Sequence, residues 1–141
     1  MRSLFAHRAT LAELKAAGIT IPVERAIWTE PVEREGWFEE SEAECWINIA
    51  FRAPASLIPN FLWCAFATDF GSIRPNPYCL IYLFNLERRV MVWPYDDRGM
   101  DVVGPNHALL AEIFQKHRQY LLAHDLAAML ETFEPAKPMR H

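Results

Sequence analysis

The stretch Val90-Met91-Val92-Trp93-Pro94-Tyr95-Asp96-Asp97-Arg98-Gly99-Met100-Asp101-Val102-Val103 decides the organisation of the C-terminal half. Val90 to Tyr95 is a β-branched and aromatic run, Asp96-Asp97-Arg98-Gly99 is turn chemistry, and Met100 to Val103 can resume as a short strand. Upstream, Tyr78 to Phe84 is the strongest strand signal in the chain. The short connection Asn85 to Arg88 makes it one arm of an antiparallel hairpin whose other arm is Val90 to Tyr95. Ahead of that hairpin, Ser72 to Pro77 is turn-rich, with Pro75-Asn76-Pro77 at its end.

Moving outward, Gly104-Pro105-Asn106 breaks the last strand and caps the next helical segment. From His107, Leu109, Leu110, Ile113, Phe114, Tyr120, Leu121, Leu126, Met129, Leu130 and Phe133 recur at helical intervals. They predict a long helical segment, either one helix or two with a break near His124-Asp125, ended by Pro135 and Pro138. Toward the N-terminus, Ala6 to Ala17 reads as a helix carrying Leu11 and Leu14, with Gly18 as its stop. Val23 to Thr29 and Glu44 to Phe51 are β-like. Pro54 opens a second helix through Phe61, Leu62, Ala65 and Phe66 that should stop near Asp69-Phe70-Gly71. The expectation is one domain over residues 1–141 with a flexible tail from 134, an α/β fold of the α+β type. In it a mainly antiparallel sheet of about four to five strands packs against two to four helices.

Composition bounds the function. A chain of 141 residues, 52% of them hydrophobic, can bury one core without disulfides or metal. Cys45, Cys64 and Cys79 each sit inside an apolar run and read as buried thiols of a reducing compartment. No apolar segment follows Met1-Arg2 and none approaches the roughly eighteen residues of a membrane span, so the expected location is the cytoplasm. A net charge of −4 argues against a general nucleic-acid or anionic-membrane binder, since both require a basic surface, and favours a basic partner. The acid is concentrated: between Glu30 and Glu44 stand seven Glu against the single Arg34.

Two readings of the central turn stay open. Asp96, Asp97 and Asp101 can converge on a divalent metal or act as acid and base. Alternatively, Asp96 and Asp97 accept turn hydrogen bonds, Arg98 pairs with one of them or with another element, and Gly99 supplies a positive φ. Tyr95 to Asp101 is then a structural signature, with Arg98 holding the hairpin against the following helix. Of His7, His107, His117, His124 and His141, His117 and His124 lie seven apart, two turns along one helical face, but one-helix zinc sites prefer closer pairs plus a third ligand. No nucleophile elbow, phosphate-cradling glycine loop or dinucleotide fingerprint is present, and no cofactor or metal is expected. The acidic stretch is different, because Trp37 and Phe38 stand among Glu33, Glu35, Glu39, Glu40 and Glu42. Such a surface can enter a basic cleft, with aromatics as anchors and carboxylates for steering; its alternative is a solvated loop whose aromatics fold back on the core.

Val92-Trp93-Pro94-Tyr95-Asp96-Asp97-Arg98-Gly99-Met100-Asp101-Val102-Val103 resembles a bacterial family known as domain of unknown function number 3885. Asp69-Phe70-Gly71 and Tyr82-Leu83-Phe84-Asn85-Leu86-Glu87 resemble its helix end and first hairpin strand. Leu109 to Asp125, with Ile113-Phe114, His117 and Tyr120-Leu121-Leu122, resembles its following helix. The likeness covers roughly residues 60 to 133. One departure is the ending Ala123-His124-Asp125-Leu126, where the family more often carries Tyr-Asp-Arg. The resemblance implies a small α/β fold and no particular activity. Small acidic bacterial proteins of this kind are similar to immunity proteins of polymorphic toxin and contact-dependent inhibition systems. That likeness leads to an expected non-enzymatic role, neutralising a basic toxin domain such as a tRNase by occluding its active site, with no direct contact to nucleic acid or membrane. The alternatives are a metal-dependent enzyme using Asp96, Asp97 and Asp101, or a regulatory binding protein.

Overall fold

The structure is a computed structural model, and it describes residues 2–3, 8–31 and 45–134. In chain order these form β1 (Arg2–Ser3), α1 (Arg8–Ala16), β2 (Arg25–Pro31), β3 (Cys45–Phe51), α2 (Ile58–Phe66), β4 (Leu83–Asn85), β5 (Val90–Asp96), β6 (Gly99–Val103), α3 (His107–Lys116) and α4 (Leu126–Phe133). Short 3₁₀ turns flank α2 at Ala55–Leu57 and Ala67–Asp69, and a third lies at Arg118–Tyr120. The α+β class is as expected, but the strands make two small three-stranded antiparallel sheets, ordered β1-β3-β2 and β4-β5-β6, in place of a single one. Residues cluster into two compact units, Met1–Leu83 with Trp93–Asp101, and Phe84–Val92 with Val102–His141.

The first unit holds the sheet β1-β3-β2, the helices α1 and α2, and the mostly irregular chain that follows α2. α1 ends as its sequence predicts: Gly18, at φ 78, lets its own N–H reach the Lys15 carbonyl and the Ile19 N–H reach that of Leu14, each at 2.9 Å. This pair of bonds satisfies carbonyls that the helix end would otherwise leave orphaned, and it places Ile19 beside Leu14 in the core. Asn60 on α2 donates to the Ala17 carbonyl at 2.7 Å. A Cβ at position 18 would stand 2.9 Å from that Asn60 nitrogen, so glycine is required there for space as well as for φ. Leu14, Ile19, Phe61, Cys64, Ala65, Cys79 and Ile81 form the buried cluster, and Phe51 of β3 meets Phe61 with ring centroids 6.2 Å apart.

In the run Tyr78 to Phe84 the sequence expectation is met only in part: Leu80 makes an isolated bridge and the strand β4 is confined to Leu83–Asn85. The cause sits two residues upstream of the run. Asn76 is fully buried; its Oδ1 accepts the Tyr78 N–H at 3.1 Å, while its Nδ2 donates to the carbonyls of Ala67 and Phe70. Its own N–H donates to the Glu13 carboxylate at 2.7 Å. Tyr78 is thereby held at φ 49, outside the β region. Cys79 and Ile81 are delivered into the core between the helices, so the apolar run fills a core without pairing as a strand. Trp63 adds a 3.0 Å bond from its indole to the Pro75 carbonyl.

In the second unit the C-terminal helical segment is two short helices, the second of the two expected arrangements, with a break that runs from His117 to Asp125 and so is wider than the expected one near His124-Asp125. His117, at φ −112 and ψ 15, leaves helical geometry, and Leu121 is extended at φ −70, ψ 139. The apolar periodicity survives this break because the two helices use it against each other: Phe114 is buried, with its ring 5.3 Å from Phe133. His107 at the start of α3 donates to the Thr132 carbonyl near the end of α4 at 3.1 Å, and Arg118 pairs with Glu134 at 2.7 Å. Asn106 caps α3 by accepting the Leu109 N–H at 3.1 Å, as the Gly104-Pro105-Asn106 punctuation predicts. Gly104 is also a packing requirement, since a Cβ there would lie 2.7 Å from the Arg89 carbonyl oxygen.

Replacing Asn76 by Ala should leave the Tyr78 N–H without its acceptor and remove one donor from each of the Ala67 and Phe70 carbonyls, which still accept the N–H groups of Phe70 and Ile73. A polar group left unpaired away from water costs about 1–3 kcal/mol. Denaturant unfolding of Asn76→Ala should show a loss of at least that size, and a variant as stable as the native chain would contradict this reading of the loop.

Candidate functional site

The turn Asp96-Asp97-Arg98-Gly99 joins β5 to β6 and is organised by one carboxylate. Asp96 Oδ1 accepts the Arg98 N–H at 2.8 Å and the Gly99 N–H at 3.2 Å, while Oδ2 accepts the Arg98 Nε–H at 2.8 Å and a second guanidinium N–H. Asp96 is buried and Arg98 exposed. The Arg98 side chain, followed by its backbone N–H and charge, holds the Asp96 carboxyl below its ordinary 3.8, against an opposing effect of burial. The same pairing raises the Arg98 guanidinium, with Asp97 and Asp69 adding to it. Arg98 therefore locks its own turn, in place of the expected pairing with the following helix. Gly99 does not supply the positive φ expected of it, because among the described glycines that conformation belongs to Gly18; Gly99 contributes its N–H.

Asp97 and Asp101 are exposed, and Asp96 spends both oxygens on the turn. Among the described residues, no group of three or more His, Cys, Asp or Glu side chains comes together in a way that could hold a metal ion. Tyr95 belongs to an aromatic row instead: Trp93 stacks on Tyr82 at 5.6 Å and meets Tyr95 edge-on at 5.9 Å. His117 and His124 do not share a helix face, because His117 ends α3 and His124 lies in the turn before α4. His7 and His141 lie outside the described residues. Burial, with the Glu13 charge adding to it, pushes the Cys64 thiol up to about 11. Burial and the neighbouring Cys64 push Cys79 up to about 12. Both therefore remain protonated thiols at neutral pH, as core cysteines do. Cys45 is a half-buried free thiol.

Glu33, Glu35, Trp37, Phe38, Glu39, Glu40 and Glu42, the residues expected to face a partner, lie outside the described residues. What is described is the hairpin from which they depart. β2 and β3 run antiparallel from Arg25↔Phe51 to Pro31↔Cys45, so the two ends of the acidic stretch are fixed one strand spacing apart. Ile27 and Trp28 stand about half exposed on β2, and the Trp28 indole donates to Glu30 at 2.9 Å. The sequence flagged neither residue, since an exposed β-strand apolar side chain has the same spelling as a buried one. A second feature invisible to motif reading is a hollow of about 650 Å³ within the second unit, between the β4–β5 turn and the start of α3. Arg88, Arg89, Asn106 and Glu112 line it, cations and carboxylate together. Among the described residues, no helix is long and apolar enough to cross a membrane.

Asp96 supplies a pH test of the turn. Its folded pKa is depressed, so its stabilisation is present above the ordinary carboxylate range and is lost as pH falls through the folded value. Asp96→Asn should melt lower than the native chain at neutral pH, and the gap should close on acidification. A gap independent of pH would assign the effect to something other than this carboxylate.

A family model described as "Domain of unknown function (DUF3885)" matches residues 12–125. Searches of curated proteins and of solved structures found no match. The family match begins inside α1, well before residue 60, and stops ahead of α4. It takes in both hairpins, the Asn76 loop and the Asp96 turn, and spans far more than half of the sequence, so the chain belongs to the DUF3885 family.

Proposed function

We propose that this protein is an immunity protein of a polymorphic-toxin or contact-dependent inhibition system, acting in the producer's cytoplasm. It binds a basic toxin domain, such as a tRNase, and occludes its active site. The observation that carries the reading is the placement of charge. Seven Glu against one Arg fall between Glu30 and Glu44, in a chain whose other charges nearly balance, and the β2–β3 register gathers both ends of that stretch on one hairpin. Carboxylates presented together can replace the phosphates that a nuclease cleft grips, and Trp37 and Phe38 supply the anchors that such interfaces depend on. On this reading Glu33, Glu35, Glu39, Glu40 and Glu42 steer and hold the partner, and no catalytic step, metal or cofactor is involved.

The test is to replace Glu35, Glu39, Glu40 and Glu42 together by Lys. The quadruple variant should keep the native melting temperature to within a few degrees, since surface substitutions cost little. It should lose the ability to protect cells carrying the toxin domain encoded beside it. A variant that folds and protects as well as the native chain contradicts the proposal.

A further inference from the structure

The turn between β4 and β5 and the start of α3 wall the hollow of about 650 Å³ within the second unit, a size that suits a small organic molecule. Its walls are fixed from both sides. Asn85 accepts the Arg88 N–H on its side chain at 2.9 Å, and Asn106 caps α3. The Arg89 carbonyl oxygen lies so near Gly104 that a Cβ there would stand 2.7 Å from it, so the turn and the segment ahead of α3 are in close contact. The charged residues that line the hollow are Glu87, Arg88, Arg89 and Glu112, all of them exposed. Arg25, Arg74, Arg98 and Arg118 spend their guanidiniums on carbonyls or carboxylates of the fold. Among the described residues, those of Arg88 and Arg89 have no such partner, although two carboxylates line the same hollow.

We propose that this hollow binds a phosphorylated sugar or polyol. The site lies within the second unit, and the inference does not require the immunity reading. Two neighbouring guanidiniums offer forked N–H donors that match the oxygens of one phosphate group. Glu87 and Glu112 repel a bare phosphate but accept hydrogen bonds from hydroxyls, so a ligand that carries both an anion and several hydroxyl donors satisfies both kinds of group at once. Pro105 and Leu109, which also line the hollow, give the carbon skeleton of such a ligand an apolar surface to cover.

The experiment is calorimetric titration of the full chain with glucose 6-phosphate, ribose 5-phosphate and glycerol 3-phosphate. At least one of them should bind saturably, one molecule per chain. Inorganic phosphate should bind more weakly by about tenfold or more, since it satisfies the arginines and not the carboxylates. Arg88→Gln and Arg89→Gln should each weaken the phosphorylated ligand by about tenfold or more, the loss of a charge-assisted hydrogen bond. Glu112→Ala should narrow the preference over inorganic phosphate. All three variants should melt with the native chain, because these exposed side chains hold nothing in the fold. Absence of saturation by all three probes at millimolar concentration overturns the proposal. So does inorganic phosphate binding as tightly as the best of them, or binding that survives the loss of both arginines.

Discussion

One buried residue, Asn76, ties together by hydrogen bonds three pieces of the first unit that also share the apolar core. Through its backbone N–H it holds Glu13 on α1, through its amide nitrogen the carbonyls at the end of α2, and through its amide oxygen the N–H of Tyr78. These bonds lie in an interior where unpaired polar groups are expensive, so the loop has essentially one arrangement that satisfies all of them. That arrangement turns Cys79 and Ile81 into the space between α1 and α2, where they complete the core. The hydrophobic burial stabilises the unit, and the polar network decides which apolar residues are buried.

Asp96 works by the same principle on a smaller scale. A buried carboxylate is tolerable only when its lone pairs are occupied, and here two backbone N–H groups and a guanidinium occupy them. The β5–β6 turn is in this way chemically saturated within itself. Among the described residues two buried polar atoms differ, since the Asn48 Nδ2 and the Trp93 Nε1 have no hydrogen-bond partner, and nothing in their surroundings explains it.

Much of this was legible in the sequence where one local rule dominates. Gly18 as a helix stop, Asn106 as a cap, the β5–β6 turn and the β2–β3 strands all follow from residues within a few positions of one another. The features that were not legible depend on distant partners. Tyr78 to Phe84 is written like a strand, yet Asn76, outside the run, donates its backbone N–H to Glu13 on α1 and accepts the Tyr78 N–H on its side chain, and most of the run does not join a strand. The helical periodicity after His107 is real, yet the same spacing serves one long helix or two short ones packed through Phe114 and Phe133. Exposure of Ile27 and Trp28 likewise depends on what covers β2, which no local pattern encodes. The acidic residues expected to meet a partner stand out by charge and composition, and the described hairpin fixes only where that stretch begins and ends.

Among the described residues, the internal polar groups are largely consumed in holding the fold. That view rests on the Asn76 network being as firm as the helices it connects. Amide hydrogen exchange on the native protein tests this directly. The N–H groups of Asn76 and Tyr78 lie outside any helix or strand, yet each donates to a side chain within the network. Both should exchange as slowly as the buried amides of α2, through opening of the whole unit. Exchange at the rate of a solvated loop, with α2 still protected, would show that the network does not hold the core and would contradict the account.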